Sequence, residues 1–337
     1  MTDRPFPRQR VFTGLKPTGR LQLGNYLGAI RPVLDLAAEA TNDVLVCVVD
    51  LHALTVEHDP TRLRADTLQM ATTLLACGLD ASATLFVQSA VPAHTELSYL
   101  LECTATYGEM QRMVQFKEKG RGNPSTRLSL LTYPALMAAD ILLHRTDVVP
   151  VGDDQRQHLE LAVALARRFN TRYGEVFTVP RAAVQPAAAR VKDLRDPTCK
   201  MGKSDADPSG VLFLMDDADT IAAKVRRAVT DDDPSLAADD PARPGVTNLA
   251  VVLGAVTGRS AEQAVAGLHG SAALKAALTE AVVDLLEPLQ RRHRELAADP
   301  EAVAALLGAG ADAVRPHATA TLDAARGAMG LLSRQDR

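Results

Sequence analysis

DVLVCVVD, residues 43–50, is the stretch on which the reading of the fold turns. Between its two aspartates runs an unbroken apolar segment dominated by valine. A half-buried strand alternates polar and apolar residues, whereas a continuous β-branched run is a strand covered on both faces, as in a parallel sheet. Outward from it toward the N-terminus, residues 10–13 form a second, shorter β-like run. The turn-rich segment GLKPTGRLQLGN (14–25) follows, then a helical pattern over about 25–40. In the other direction, residues 61–78 read as a helix ended by a glycine. Residues 83–89 and 146–151 read as strands, and 154–169 as a helix with apolar positions three and four apart. Strands alternating with helices over about the first 200 residues imply a doubly wound α/β domain, whose ligands bind at the carboxyl ends of the strands.

From about residue 206 the texture changes. An acidic, proline-bearing loop, DDDPSLAADDPARPGVTN, begins at Asp231, and the rest is rich in alanine and leucine with helical patterning and no clear strand. A division into 8–205 and an all-helical 206–337 is expected, with the last helices free to pack back on the first domain. The 337 residues are 47% apolar and 23% charged, ordinary for a globular protein, and the formal net charge is −4. A nucleic-acid partner must therefore be met by a local basic face and not by overall charge. The four cysteines lack metal-ligand spacing, and no disulfide framework is expected in so large and cysteine-poor a chain. With no apolar leader and no apolar run of membrane-spanning length, a cytoplasmic setting is expected.

Four segments carry chemistry. Gly14–Gly28 joins a strand to a helix, with Gly24 and Asn25 at the helix N-terminus, where free N–H groups suit phosphate. The blander alternative is a turn that only reverses the chain. KMGKSD, residues 200–205, sets Lys200 and Lys203 on either side of Met201 and Gly202; it reads as a polyphosphate-gripping loop or as a solvated basic loop. VPVGDDQRQHLE, residues 149–160, places two carboxylates where a strand passes into a helix, as ribose or metal ligands or as helix caps. LTYPALMAADILL, residues 131–143, is an apolar helix with one acid, Asp140, on the face that also carries Tyr133 and Met137. A carboxylate on such a face is costly unless a donor meets it, either an internal cation or a ligand N–H.

Taken in order, these segments carry a resemblance. PTGRLQLGN resembles the first signature of the class I aminoacyl-tRNA synthetases, and KMGKS resembles the second. Within that class, LLTYPALMAADILL followed by VPVGDDQRQHLELA is similar to the bacterial tryptophanyl-tRNA synthetases. The likeness is dense from about Val11 to Asp205 and thinner beyond.

The resemblance implies a Rossmann-type catalytic domain and the activation of L-tryptophan by ATP and Mg²⁺, with charging of tRNA(Trp). It implies that Lys16, Pro17, Thr18, Gly24, Asn25, Gly152, Asp153, Asp154, Val191, Lys200, Met201, Gly202, Lys203 and Ser204 bind ATP. Lys200, Lys203, Lys119 and Gln22 would act on the phosphates. Asp140 would accept the indole N–H, Met137, Val149 and Val151 would line the ring, and Tyr133 and Gln155 would hold the amino group. Phe12, Gly14 and His52 would complete the pocket. A homodimer binding tRNA across both subunits is implied, with Lys224, Arg226 and Arg227 as candidate anticodon contacts; a solvated helix face is their plainer reading.

Three positions depart from the pattern. Gln22 stands where the class often has histidine, Gly202 where it has serine, and Lys16 where related enzymes often have glutamine. Lys16 suggests an auxiliary copy resistant to tryptophan-competitive inhibitors. Two other readings are a tyrosine-specific relative and a catalytically weak paralogue that binds tRNA or a protein partner.

Overall fold

The structure is a computed structural model that describes residues 8–17, 19–79, 82–120, 122–152, 155–183, 191–202, 208–236 and 238–332, with the backbone alone at Lys119. Five strands form one parallel sheet: β1 (Gln9–Leu15), β2 (Asn42–Val48), β3 (Ala83–Val87), β4 (Val148–Val149) and β5 (Arg181–Ala182), in the order β3-β2-β1-β4-β5. The valine run is β2, near the middle of the sheet and buried from Val44 to Val48. It pairs with β1 in the register Val11↔Val44 and with β3 in the register Val44↔Ala83. Strand order reverses between β1 and β4, so a crevice is expected at their carboxyl ends. The 146–151 strand is real but contracts to two residues, and β5, equally short and exposed, gave no apolar signal in the sequence.

The chain forms two compact units. One takes Met1–Thr18, Val33–Val184 and Asp299–Arg337; the other takes Gly19–Pro32 and Gln185–Ala298. This differs from a single cut at 205/206 in two ways. The 19–32 segment belongs with the helical part, held by Leu23 N–H to Leu212 O, Leu214 N–H to Leu21 O, and Arg31 to Ala255 O at 2.7 Å. The long Pro300–Ala328 helix belongs with the sheet.

In the sheet unit, the core is built from the apolar faces of the Ala93–Glu102, Leu128–Leu143 and Arg156–Tyr173 helices, with Phe86, Phe169 and Leu322 among its members. Pro300–Ala328 crosses β3 so closely that a Cβ built on Gly310 would lie 2.0 Å from the Leu85 carbonyl oxygen, so only glycine fits there. In the helical unit, Leu274, Leu278, Val282, Leu286 and Leu289 form the buried stripe of the Gly270–Ala297 helix. Among the described residues, no helix is long and apolar enough to cross a membrane.

A buried acid at the carboxyl ends of the strands

Asp140 lies in the last turn of the Leu128–Leu143 helix, whose dipole disfavours a carboxylate there. It is 1% exposed. Three donors from three other segments meet it. Gln88 Nε2 and His94 Nδ1 both reach Oδ1 at 2.7 Å, and His52 Nε2 reaches Oδ2 at 2.8 Å. His52 sits in the short helix after β2 and Gln88 in the turn after β3, so the acid stands at the strand ends. Burial alone would raise the Asp140 carboxyl, but the His52 and His94 hydrogen bonds reverse this and hold it well below the usual carboxylate range.

The end of the helix sets the next residue in this network. Arg145 N–H bonds to Leu142 O and Thr146 N–H to Ile141 O, with Arg145 at φ +50, a left-handed helix stop formed without glycine. The cap residue His144 is thereby turned inward and fully buried, with Nε2 3.3 Å from His94 Nε2. Burial, then the neighbouring His94, push His144 well below its usual pKa, so it is neutral. Burial, followed by the charges of Asp140 and Asp50, pushes the Cys47 thiol up, so it is inert.

The residues expected around tryptophan all fall in the sheet unit. Tyr133 packs edge-on to His52 and its hydroxyl hydrogen-bonds His158; burial pushes the phenol up to about 12. Phe12 is buried and stacks on His144, so it braces the imidazole behind Asp140. At Gly14 a Cβ would come within 3.0 Å of Val49 Cγ1, which explains a glycine at the end of β1. Met137 is half-buried one helical turn before Asp140; Val149 is buried in β4, and Val151 packs against the core. Gln155 is the N-cap residue of Arg156–Tyr173, its N–H bonded to Gly152 O. Gln88, His94 and His144 were not legible as site residues. They are single polar side chains on separate elements, with no shared spacing.

The residues expected at ATP fall in both units. Lys16, Pro17 and Gly152 are in the sheet unit. In the other, Gln22, Gly24, Asn25, Val191, Lys200, Met201 and Gly202 are brought together. Met201 N–H bonds to Val191 O, Lys200 bridges Lys192, and Asn248 holds the Lys192 backbone. Gln22 departs from the expectation that it donates to phosphate. It is buried, its Nε2 donates to Met201 O at 2.8 Å, and its Oε1 accepts Gly24 N–H at 2.5 Å. Its amide thus caps the helix and ties the first signature segment to the second. Asn25 completes the cap by accepting the Gln22 N–H. Thr18, Asp153, Asp154, Lys203 and Ser204, and the Lys119 side chain, lie outside the described residues.

Of the candidate anticodon contacts, Lys224 is corrected. Its ammonium is paired with Asp216 at 2.6 Å, donates to Val211 O, and lies over the Phe213 ring. Arg226 and Arg227 are exposed.

Comparisons with known proteins give the family. Residues 7–287 match the family of class I tRNA synthetases (W and Y). The chain is 54% identical to tryptophan–tRNA ligase 1 of Streptomyces avermitilis, over 96% of this chain and 99% of that one. The tryptophanyl-tRNA synthetase of Mycoplasma pneumoniae superposes with a TM-score of 0.84 at 36% identity, covering 98% of this chain and 99% of that one. That of Campylobacter jejuni, solved with ADP and tryptophan, gives 0.81 at 29% identity, covering 96% and 100%. A buried acid at the strand ends, two signature segments tied by one glutamine, and likeness over nearly the whole length converge: the chain belongs to the class I tRNA synthetases of the tryptophan and tyrosine group.

Proposed function

We propose that this protein is a tryptophan–tRNA ligase that activates L-tryptophan with Mg²⁺-ATP and transfers it to tRNA(Trp). The observation that carries the amino-acid assignment is Asp140, a buried, ionised acceptor at the strand ends. An indole N–H satisfies such an acceptor. Phenylalanine would leave it without a ligand donor, and sites of this type reject the lacking analogue by about 10⁴–10⁵. Met137, Val149 and Val151 line the ring, Tyr133 and Gln155 hold the amino group, and His52, Phe12 and Gly14 close the pocket.

The reaction needs positioning and charge stabilisation more than a protein nucleophile. A tryptophan carboxylate oxygen attacks the α-phosphorus of ATP. The bond from that phosphorus to the bridging oxygen breaks, and pyrophosphate leaves with the electron pair. Lys200 and Lys203, with Lys119, neutralise the departing charge, and Mg²⁺ enters with the triphosphate. Gly24, Asn25, Lys16–Thr18, Gly152–Asp154 and Val191 hold the rest of the nucleotide. The terminal ribose hydroxyl of the tRNA then attacks the acyl carbon and releases AMP. Arg226 and Arg227 contact the tRNA, the enzyme works as a homodimer, and its setting is the cytoplasm.

The test is ATP–pyrophosphate exchange with tryptophan, tyrosine and phenylalanine in parallel. Exchange with tryptophan alone is expected. Exchange with tyrosine moves the chain to the sister specificity, and no exchange from folded protein leaves a non-catalytic paralogue.

A further inference from the structure

Both histidines bound to Asp140 face it, but they do different things. His52 lies at the edge of the site, 11% exposed at its side chain, and takes Oδ2. His94 is fully buried on the far side and takes Oδ1, which Gln88 also bonds. A carboxylate oxygen has two good acceptor positions. Oδ1 is therefore full, and the remaining capacity is on Oδ2, beside His52.

The orientation of each donor is fixed from behind. Gln88 Oε1 accepts Leu51 N–H at 3.0 Å, so its amide must turn Nε2 to Asp140. His94 has no such choice either. An ionised carboxylate only accepts, so His94 carries a proton on Nδ1. Its Nε2 faces His144 Nε2, and one proton lies between them. His144 Nδ1 is buried with no partner among the described residues. A bare ring nitrogen there costs less than an orphaned N–H, so His144 carries its proton on Nε2 and donates it to His94. His144 is itself held by its backbone: its carbonyl accepts from Arg10 Nη1 at 3.1 Å, and His317 Nε2 lies 3.2 Å away.

We infer that His94 is a specificity-determining positioning residue: with its proton fixed on Nδ1 by His144, it locks Oδ1 of Asp140 away from the substrate and leaves Oδ2 as the acceptor that reads the amino acid's N–H. This rests on the proposed role of Asp140. His94 touches no substrate. It acts by removing the carboxylate's freedom to rotate, so that the acceptor is in place before the ligand arrives.

The test compares two substrates in ATP–pyrophosphate exchange: tryptophan and β-(3-benzothienyl)alanine, which has sulfur in place of the indole N–H. His94→Leu is expected to lower kcat/KM for tryptophan by about 10- to 100-fold, the usual size of a lost charge-assisted hydrogen bond, and to change it for the sulfur analogue by less than about threefold. His94→Asn, whose amide nitrogen falls near the position of Nδ1, is expected to restore most of the preference. His94→Gln, whose amide reaches the Nε2 position instead, is not; the Asn–Gln pair decides the matter if His94→Leu does not fold. Equal losses for both substrates, or no loss for either, overturn the inference. Asp140→Asn is measured beside them. If it leaves the preference for tryptophan intact, the reading of Asp140 falls and this inference with it. If it abolishes the preference while the His94 variants keep it, this inference alone falls.

Discussion

Around Asp140 the donors Gln88 and His94 are buried, hydrogen-bonded and fixed from behind; Lys200 stands in solvent on a short paired segment beside Gly202. In the proposed function, the contrast follows from what each region would have to recognise. An indole presents one weak donor on a large apolar body, and it can be read only by an acceptor already desolvated and aimed. A triphosphate is highly charged and needs cations that can follow its charge as it moves to the leaving group. The first task is met by rigidity, which ties specificity to stability. The second is met by side chains whose loss the fold hardly notices.

That difference can be broken by experiment, most strongly at the acid. Asp140→Ala is expected to lower kcat/KM for tryptophan by about 10³-fold or more. It should also destabilise the fold by roughly 3–5 kcal/mol, because it orphans three buried donors. Urea denaturation beside pyrophosphate exchange reads both, and a large kinetic loss with unchanged stability would separate what the structure joins. Lys200→Ala is expected to reduce kcat about 10²- to 10³-fold with stability within about 0.5 kcal/mol of the parent. A fall in Tm of several degrees would show that the second region is structural after all.

Gln22→Leu tests the boundary between the two behaviours, since Gln22 is a buried residue in the ATP region. It is expected to raise KM for ATP about tenfold and to cost about 1–2 kcal/mol, with KM for tryptophan unchanged. A change in kcat alone would return Gln22 to the phosphates. The smallest effect is at Lys16. Lys16→Gln is expected to tighten a tryptophan-competitive inhibitor by a few-fold, on the scale of one screened charge. Equal inhibitor constants for the two proteins would remove the case for a resistant auxiliary copy.

The same contrast governed what the sequence disclosed. DVLVCVVD was legible as a central strand because burial on both faces leaves an unbroken apolar run. KMGKS stood out as a candidate because a linear segment carries its chemistry in adjacent residues. Asp140 stood out as one charge in an apolar helix. Gln88 and His94 did not, because they meet it only after the strands have been laid side by side, and His52 was named through the resemblance alone. The 19–32 segment read as part of the first domain since composition is local, whereas Arg31 bonds a carbonyl more than two hundred residues away. Gln22 read as a donor because the resemblance names a position and not the bonds that an unusual side chain makes there.

The close crossing of Pro300–Ala328 over β3 also bears on how the protein is made. Glu96 and its partner Arg326 are separated by 230 residues. At a synthesis rate of about 5–20 residues per second, that interval is roughly 10–45 s. For that time the part of β3 at Leu85 that Gly310 comes to lie against has no segment yet available to cover it. The first unit to begin folding is thus the last to be sealed.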